Sequence, residues 1–220
     1  MFQIRYQIFS ITFLLFLSLT MKAYPGECVH GNNHQASEKR KVATFHAVDI
    51  QGAFTVDIQN QPVSMLTVTT DTNLLPYIIT KVTDGTLHIY ADRSICTKLM
   101  LAIRITGSDI QKIQSSGAND ISYSKIQTSK LEIVMDDAGD IQLSGKAKTL
   151  IARLSNAVDM EAENLHAEEV DISTSGAGDA TVYASEKLNA MITGAGTVTC
   201  RGNPKSVTKK VSDAGELIQE

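Results

Sequence analysis

The sequence predicts an all-β chain folded as a parallel β-helix, a solenoid of about six rungs of about 19 residues each, preceded by a less regular β portion. Three observations predict it. A five-residue corner motif recurs six times at a nearly fixed period, the flanking residues alternate apolar and polar, and that two-residue alternation excludes a helical repeat.

The motif first stands as Ser116-Gly117-Ala118-Asn119-Asp120. It returns as Asp136-Asp137-Ala138-Gly139-Asp140, Ser155-Asn156-Ala157-Val158-Asp159 and Ser175-Gly176-Ala177-Gly178-Asp179, then as Thr193-Gly194-Ala195-Gly196-Thr197 and Ser212-Asp213-Ala214-Gly215-Glu216. Its central alanines are 20, 19, 20, 18 and 19 residues apart. The second position of each copy is Gly, Asp or Asn, the types that enter the left-handed region at least steric cost. The first position is always Ser, Thr or Asp, a short oxygen able to bond a free N–H of a turn. Leu131/Ile133/Met135, Leu150/Ala152/Leu154, Val170/Ile172/Thr174 and Leu188/Ala190/Ile192 lead into successive copies, with polar residues mostly between them. Ile121/Tyr123, Ile141/Leu143, Met160/Ala162, Ala180/Val182 and Val198/Cys200 lead out. One lap of about 19 residues traces roughly 63 Å of extended chain, enough for a two- or three-sided coil. A leucine-rich repeat horseshoe is the lesser alternative, since no Leu-x-x-Leu-x-Leu frame recurs.

From the N-terminus, residues 1–23 read as a secretion signal: Arg5 precedes an apolar core from Ile8 to Leu19, and Ala23 offers a cleavage position. The apolar run is short for a membrane-spanning helix, and no lipobox precedes Cys28. Loss of Arg5 and Lys22 takes the net charge from −4 to −6, which argues against nucleic acid or anionic membrane as partner. Residues 24–41 are polar and without period, and read as a disordered linker. Within it Cys28, His30 and His34 offer three ligands for a soft metal, against the plainer reading of a linker. Residues 42–220 form one domain, with 42–107 the irregular β portion and 108–220 the regular repeats. In the first part Val48/Ile50, Phe54/Val56/Ile58, Leu66/Val68, Leu87/Ile89 and Leu101/Ile103/Ile105 alternate with polar residues, while Pro76 argues against a central strand near it. This portion is expected to cover the open edge of the first rung.

The stretch from Phe45 to Gln59 (FHAVDIQGAFTVDIQ), then Asp71-Thr72-Asn73-Leu74-Leu75 and Asp84-Gly85-Thr86-Leu87-His88-Ile89, followed by the corner copies, resembles the auto-transporter adhesin, head GIN domain family over roughly residues 42–218. The resemblance implies an extracytoplasmic, right-handed β-helix with an adhesive role, located in the periplasm, at the cell surface or secreted. It carries no catalytic motif.

The acidic column Asp120, Asp140, Asp159 and Asp179, continued by Thr197 and Glu216, is the most suggestive chemistry. Carboxylates stacked one rung apart repel by roughly 0.9 kcal/mol in water, so turn N–H groups or a calcium ion should offset them. The neutral Thr197 in the same column favours the turns, so these four aspartates stand only as calcium candidates and no metal or cofactor is assigned. No Gly-x-Ser-x-Gly, His-Glu-x-x-His or phosphate loop is present, and no rung carries an exposed aromatic pair, so no catalytic residue is assigned either. Cys200 falls in an inward column, which leaves Cys28 and Cys96 as a possible disulfide. The expected function is a non-catalytic extracytoplasmic β-helix presenting a binding or adhesion surface to a cell-surface or glycan ligand. A structural or self-assembling envelope protein, pairing copies through the last rung, is the main alternative. A polysaccharide-active β-helix enzyme is a lower one.

Overall fold

The computed structural model describes residues 27–220, so the signal segment read at 1–23 lies outside the described residues. The first strands are β1 (Val29–His30), β2 (Gln35–Arg40), β3 (Ala47–Gly52), β4 (Thr55–Asn60) and β5 (Met65–Asp71). After one short 3-10 turn at Leu75–Tyr77 come β6 (Ile78–Thr83), β7 (Thr86–Ala91), β8 (Ile95–Cys96) and β9 (Ala102–Gly107). The corner copies lie in and between β10 (Lys112–Ala118), β11 (Asp120–Gly176), β12 (Ala180–Gly194), β13 (Thr197–Arg201), β14 (Ser206–Asp213) and β15 (Glu216–Gln219). The fold is all-β: no α-helix occurs among the described residues, and none there is long and apolar enough to cross a membrane.

Residues one copy apart pair in parallel. Ile113 lies beside Ile133, Met160 beside Ala180, Ile172 beside Ala190, Val198 beside Leu217 and Ile192 beside Val211. The pairing also reaches back into the irregular portion. Gly52 pairs with Gly117 and Thr55 with Asp120, so Gln51-Gly52-Ala53-Phe54-Thr55 is an earlier corner of the same kind, 65 residues upstream. Beneath it β7 pairs in parallel with β3, and β9 with β4. Here the chain changes sense: β6 is antiparallel to β7, β5 to β9 and β2 to β5. The path ends in β2 and β6 on one side and in β14 and β15 on the other, leaving the sheet open.

The strand alternation puts Val48, Ile113, Ile133, Val170 and Leu188 into one buried core with Val56, Ile121, Ile141, Met160, Ala180 and Val198. Each such aliphatic side chain contributes about 1.5–3 kcal/mol by leaving water. The corners make the turn between the two sets. Gly117, Asn156, Gly176, Gly194 and Asp213 have positive φ, and in the second copy Gly139 has φ +131°. A methyl on Gly176 would press into the Asn156 carbonyl of the neighbouring copy, so the position needs glycine for space as well as conformation. A second left-handed corner follows at Lys125, Gly145 and Gly202, which the residue types at those positions do not announce.

Residues 27–41, read from sequence as disordered linker, are instead tied down along their length. Cys28 is disulfide-bonded to Cys96, β1 pairs with β8, and β2 pairs with β5 from Gln35–Asp71 to Arg40–Leu66. The wholly buried Asp71 carboxylate accepts the Asn33 N–H and the Thr97 hydroxyl proton. Arg40 donates to the Leu75 carbonyl at 2.8 Å and also to the Ile78 carbonyl. Every one of these partners is distant in sequence, so the local composition of 24–41, polar and without period, carries no sign of them.

Candidate functional site

A groove of 680 Å³ lies on the outward face of β2, β5, β9, β4 and the start of β11. Alternation sets its floor. While Val56, Ile58, Ile103 and Ile105 turn inward, the residues between them face solvent in two rows. By register one row is Ser37, Thr69, Ala102, Thr55 and Asp120, and the other is Thr67, Arg104, Asp57 and Ser122. Asp140 and Gln142 extend the floor, and the exposed Met100 forms part of the wall. Ser37 and Thr69 bond hydroxyl to hydroxyl at 2.7 Å, and Arg104 Nε pairs with Asp57 Oδ2 at 3.1 Å. The Arg104 side chain is 70% exposed and the pair is screened, so it contributes under about 1 kcal/mol to stability and is free to exchange partners.

The acidic column divides at this groove. Asp159 Oδ1 accepts the Asp179 N–H at 2.8 Å, and Asp179 Oδ1 accepts the Thr197 N–H at 2.7 Å, so each carboxylate is held by the backbone of the next copy rather than of its own turn. The Asp120 and Asp140 carboxylates have no hydrogen-bond or ion-pair partner among the described residues, and both line the groove. Related contacts between copies run from Asn156 Nδ2 to Asp136 Oδ1 at 3.0 Å and from the Thr193 hydroxyl to the Thr174 carbonyl at 3.0 Å. Two unpartnered carboxylates and one guanidinium line the same groove, with hydroxyls and apolar side chains between them, an array of acceptors and donors that can meet a polyhydroxylated ligand.

At the base of the corner series Asn119 is wholly buried. Its Oδ1 accepts the Phe54 N–H at 3.0 Å, while its Nδ2 donates to Ser115 Oγ at 3.0 Å and to the Ser116 carbonyl at 2.9 Å. This clamp joins the 51–55 corner to the first sequence copy, and the sequence reading missed it. The fourth motif position is Gly139, Val158, Gly178 or Gly196 in the next copies, so the one polar member was the available signal.

The cysteine-rich end is a separate cluster. Cys28, His30 and Cys96 present donor atoms within 4.8 Å of one another, and Cys28 Sγ lies 3.8 Å from His30 Nε2. The sequence reading grouped Cys28 and His30 with His34; in the fold Cys96 takes that third place. With both sulfurs in the disulfide, the cluster acts as a staple. Cys200 is free and buried, its thiol pushed up by burial.

A family model described as "Putative auto-transporter adhesin, head GIN domain" matches residues 44–204. Among solved structures, a "putative adhesin" from Bacteroides fragilis NCTC 9343 superposes with a TM-score of 0.72 at 22% identity, covering 87% of this chain and 100% of that one. A "putative lipid binding protein" from Parabacteroides distasonis ATCC 8503 gives 0.60 at 19% identity over 88% and 100% of the two chains. A "putative adhesin" from Parabacteroides merdae ATCC 43184 gives 0.53 at 17% over 89% and 100%. At these identities the likeness is one of fold. No curated protein sequence matches the chain.

Proposed function

The chain belongs to the family described as "putative auto-transporter adhesin, head GIN domain", and from that premise we propose that it is a non-catalytic, extracytoplasmic adhesion domain. In this reading the stacked copies form a right-handed parallel β-helix, and the groove over β4, β9 and the start of β11 receives a polyhydroxylated ligand such as a cell-surface glycan. The observation that carries it is the pair of unpartnered carboxylates, Asp120 and Asp140, beside the exchangeable Arg104–Asp57 pair. Sugar hydroxyls donate to carboxylates and accept from a guanidinium, and the Ser and Thr floor supplies both roles. The same lining also includes the apolar Met100, Ala102 and Ile121, which would suit an acyl chain, and a lipid-binding role is the one named for the Parabacteroides distasonis relative.

The test is binding of the purified protein to immobilised glycans and to whole bacterial and epithelial cells. Asp120→Asn/Asp140→Asn and Arg104→Ala should each weaken retention at least several-fold while leaving the far-ultraviolet circular dichroism intact. Unchanged retention in all of them removes this groove as the adhesive site.

A self-assembling role has one observation in its favour. Val207 and Val211 sit in register with the buried Leu188 and Ile192 yet remain 36% and 39% exposed. Pairing of this last level with a second copy would cover them. Light scattering at tens of micromolar distinguishes the two, since a strictly monomeric mass rules out assembly through that edge.

A further inference from the structure

We propose that a second groove, on the side of the molecule formed by the arcs between corners, is a binding site for acidic saccharides. It rests on the adhesive reading above but on different residues. The inward positions of these arcs are small: Ala147, Ala167 and Ala184 are all buried. Small inward residues let the arc lie close to the core, and the outward neighbours then rim a hollow of 390 Å³. Alternation sends outward the residue before each alanine, Lys146, His166 and Tyr183, and the residue after it, Lys148, Glu168 and Ser185.

Two features give the hollow its chemistry. The His166 and Tyr183 rings meet edge to face with centroids 4.7 Å apart, forming an aromatic patch on the surface of a chain with few aromatics. The two-residue pattern alone conceals this pair, because the pairing shifts register between Ala162 and Ala167 and brings Ala167 beside Ala184. The Lys146 and Lys148 residues are exposed and form no ion pair among the described residues. Glu168 is the one carboxylate in the lining.

An aromatic patch stacks on the apolar face of a sugar ring, and its tyrosine hydroxyl bonds a ring substituent. Two unmatched ammonium groups 2 residues apart on one strand face take a carboxylate or sulfate carried by that sugar. A neutral sugar would leave both lysines unused, and a bare polyanion would leave the rings unused. The combination selects a saccharide with an anionic substituent. Over the arcs that line it the hollow extends about 14 Å, the length of a short oligosaccharide and not of a single ring.

The test titrates the full secreted chain with oligogalacturonate, chondroitin sulfate oligosaccharide, neutral malto-oligosaccharide and polyglutamate by calorimetry. At least one acidic saccharide should bind ten-fold or more tightly than the neutral saccharide and polyglutamate, with the affinity falling as salt rises. Lys146→Ala/Lys148→Ala and Tyr183→Ala should each weaken it ten-fold or more, while Lys146→Arg/Lys148→Arg and Tyr183→Phe retain most of it. Which acidic probe is preferred tells carboxylate from sulfate. Equal binding of the neutral saccharide, equal binding of polyglutamate, or no loss in the lysine and tyrosine variants overturns the proposal. Whole-cell adhesion that survives in Lys146→Ala/Lys148→Ala but is lost in Asp120→Asn/Asp140→Asn sinks this site while leaving the adhesive reading standing.

Discussion

Asn119→Ala should be among the most damaging single substitutions outside the apolar core. The amide fills a wholly buried position and makes three hydrogen bonds at 2.9–3.0 Å, to the Phe54 N–H, the Ser115 hydroxyl and the Ser116 carbonyl. Truncation removes all three and strands the Phe54 N–H, whose one side-chain partner is Asn119 Oδ1. A buried donor left unsatisfied costs about 1–3 kcal/mol, and the remaining lost bonds add roughly 0.5–1.5 kcal/mol each. The sum is about 4 kcal/mol, and for a domain of this size it lowers Tm by roughly 8–16 °C. Asn119→Asp keeps the acceptor for Phe54 but turns the two donor bonds into oxygen–oxygen contacts, so it should fall in the same range. Thermal denaturation followed at 218 nm, with urea titration to confirm an unchanged slope, measures both. A loss under about 1 kcal/mol in Asn119→Ala would refute the assignment of this side chain as the clamp between the 51–55 corner and the first copy.

Further outcomes follow from the same contacts. Reduction of Cys28–Cys96, or Cys96→Ser, frees a loop with ends 68 residues apart and should cost about 4 kcal/mol; hydrogen exchange should show protection lost over β1 and β2 before β10–β13. Gly176→Ala places a methyl against the Asn156 carbonyl at φ +141° and should cost at least about 2 kcal/mol in urea titration. Tyr123 is buried, and desolvation, with the Asp109 carboxylate adding, pushes its phenol from 10.0 to about 12. The unfolded chain therefore ionises first, so the stability Tyr123 contributes is complete below pH 10.0 and declines toward about pH 12, at about 1.4 kcal/mol per pH unit. Absorbance at 295 nm should show one tyrosine ionising later than the others, and Tyr123→Phe should flatten that part of the pH–stability curve.

The later part of the fold was legible because the corner demands residue types that few positions tolerate. A Gly or Asn at the left-handed site, an invariant alanine beside it and alternating neighbours leave a readable trace, and Gly117, Asn156, Gly176 and Gly194 all adopt the expected positive φ. The corner at Gly52-Ala53-Phe54 escaped because 65 residues separate it from its pairing partner, where the later copies stand 18 to 20 apart. The Lys125, Gly145 and Gly202 corner escaped because a lysine takes a positive φ at the first of these positions, so no single residue type marks it. Segment 27–41 was misread because its order comes from Asp71, Thr97 and Cys96, groups that local composition cannot anticipate. Of the acidic column, the sequence showed the alignment but not the division between Asp159 and Asp179, which backbone N–H groups hold, and Asp120 and Asp140, which line a groove. The meeting of His166 with Tyr183 on the arcs depends on a register shift that only pairing geometry reveals.

The antiparallel strands β2, β5 and β6 at one end have a consequence for how such a molecule changes length. There the strand sense reverses, so an extra parallel unit added at that end would meet neighbours running the wrong way. Between Asp120 and Asp213 every unit meets another like itself, and a duplicated block of about 19 residues could slot in with its neighbours undisturbed. Each such duplication would lengthen the molecule by about 4.8 Å. Length would then change in discrete steps of one unit, with the antiparallel end left as it stands.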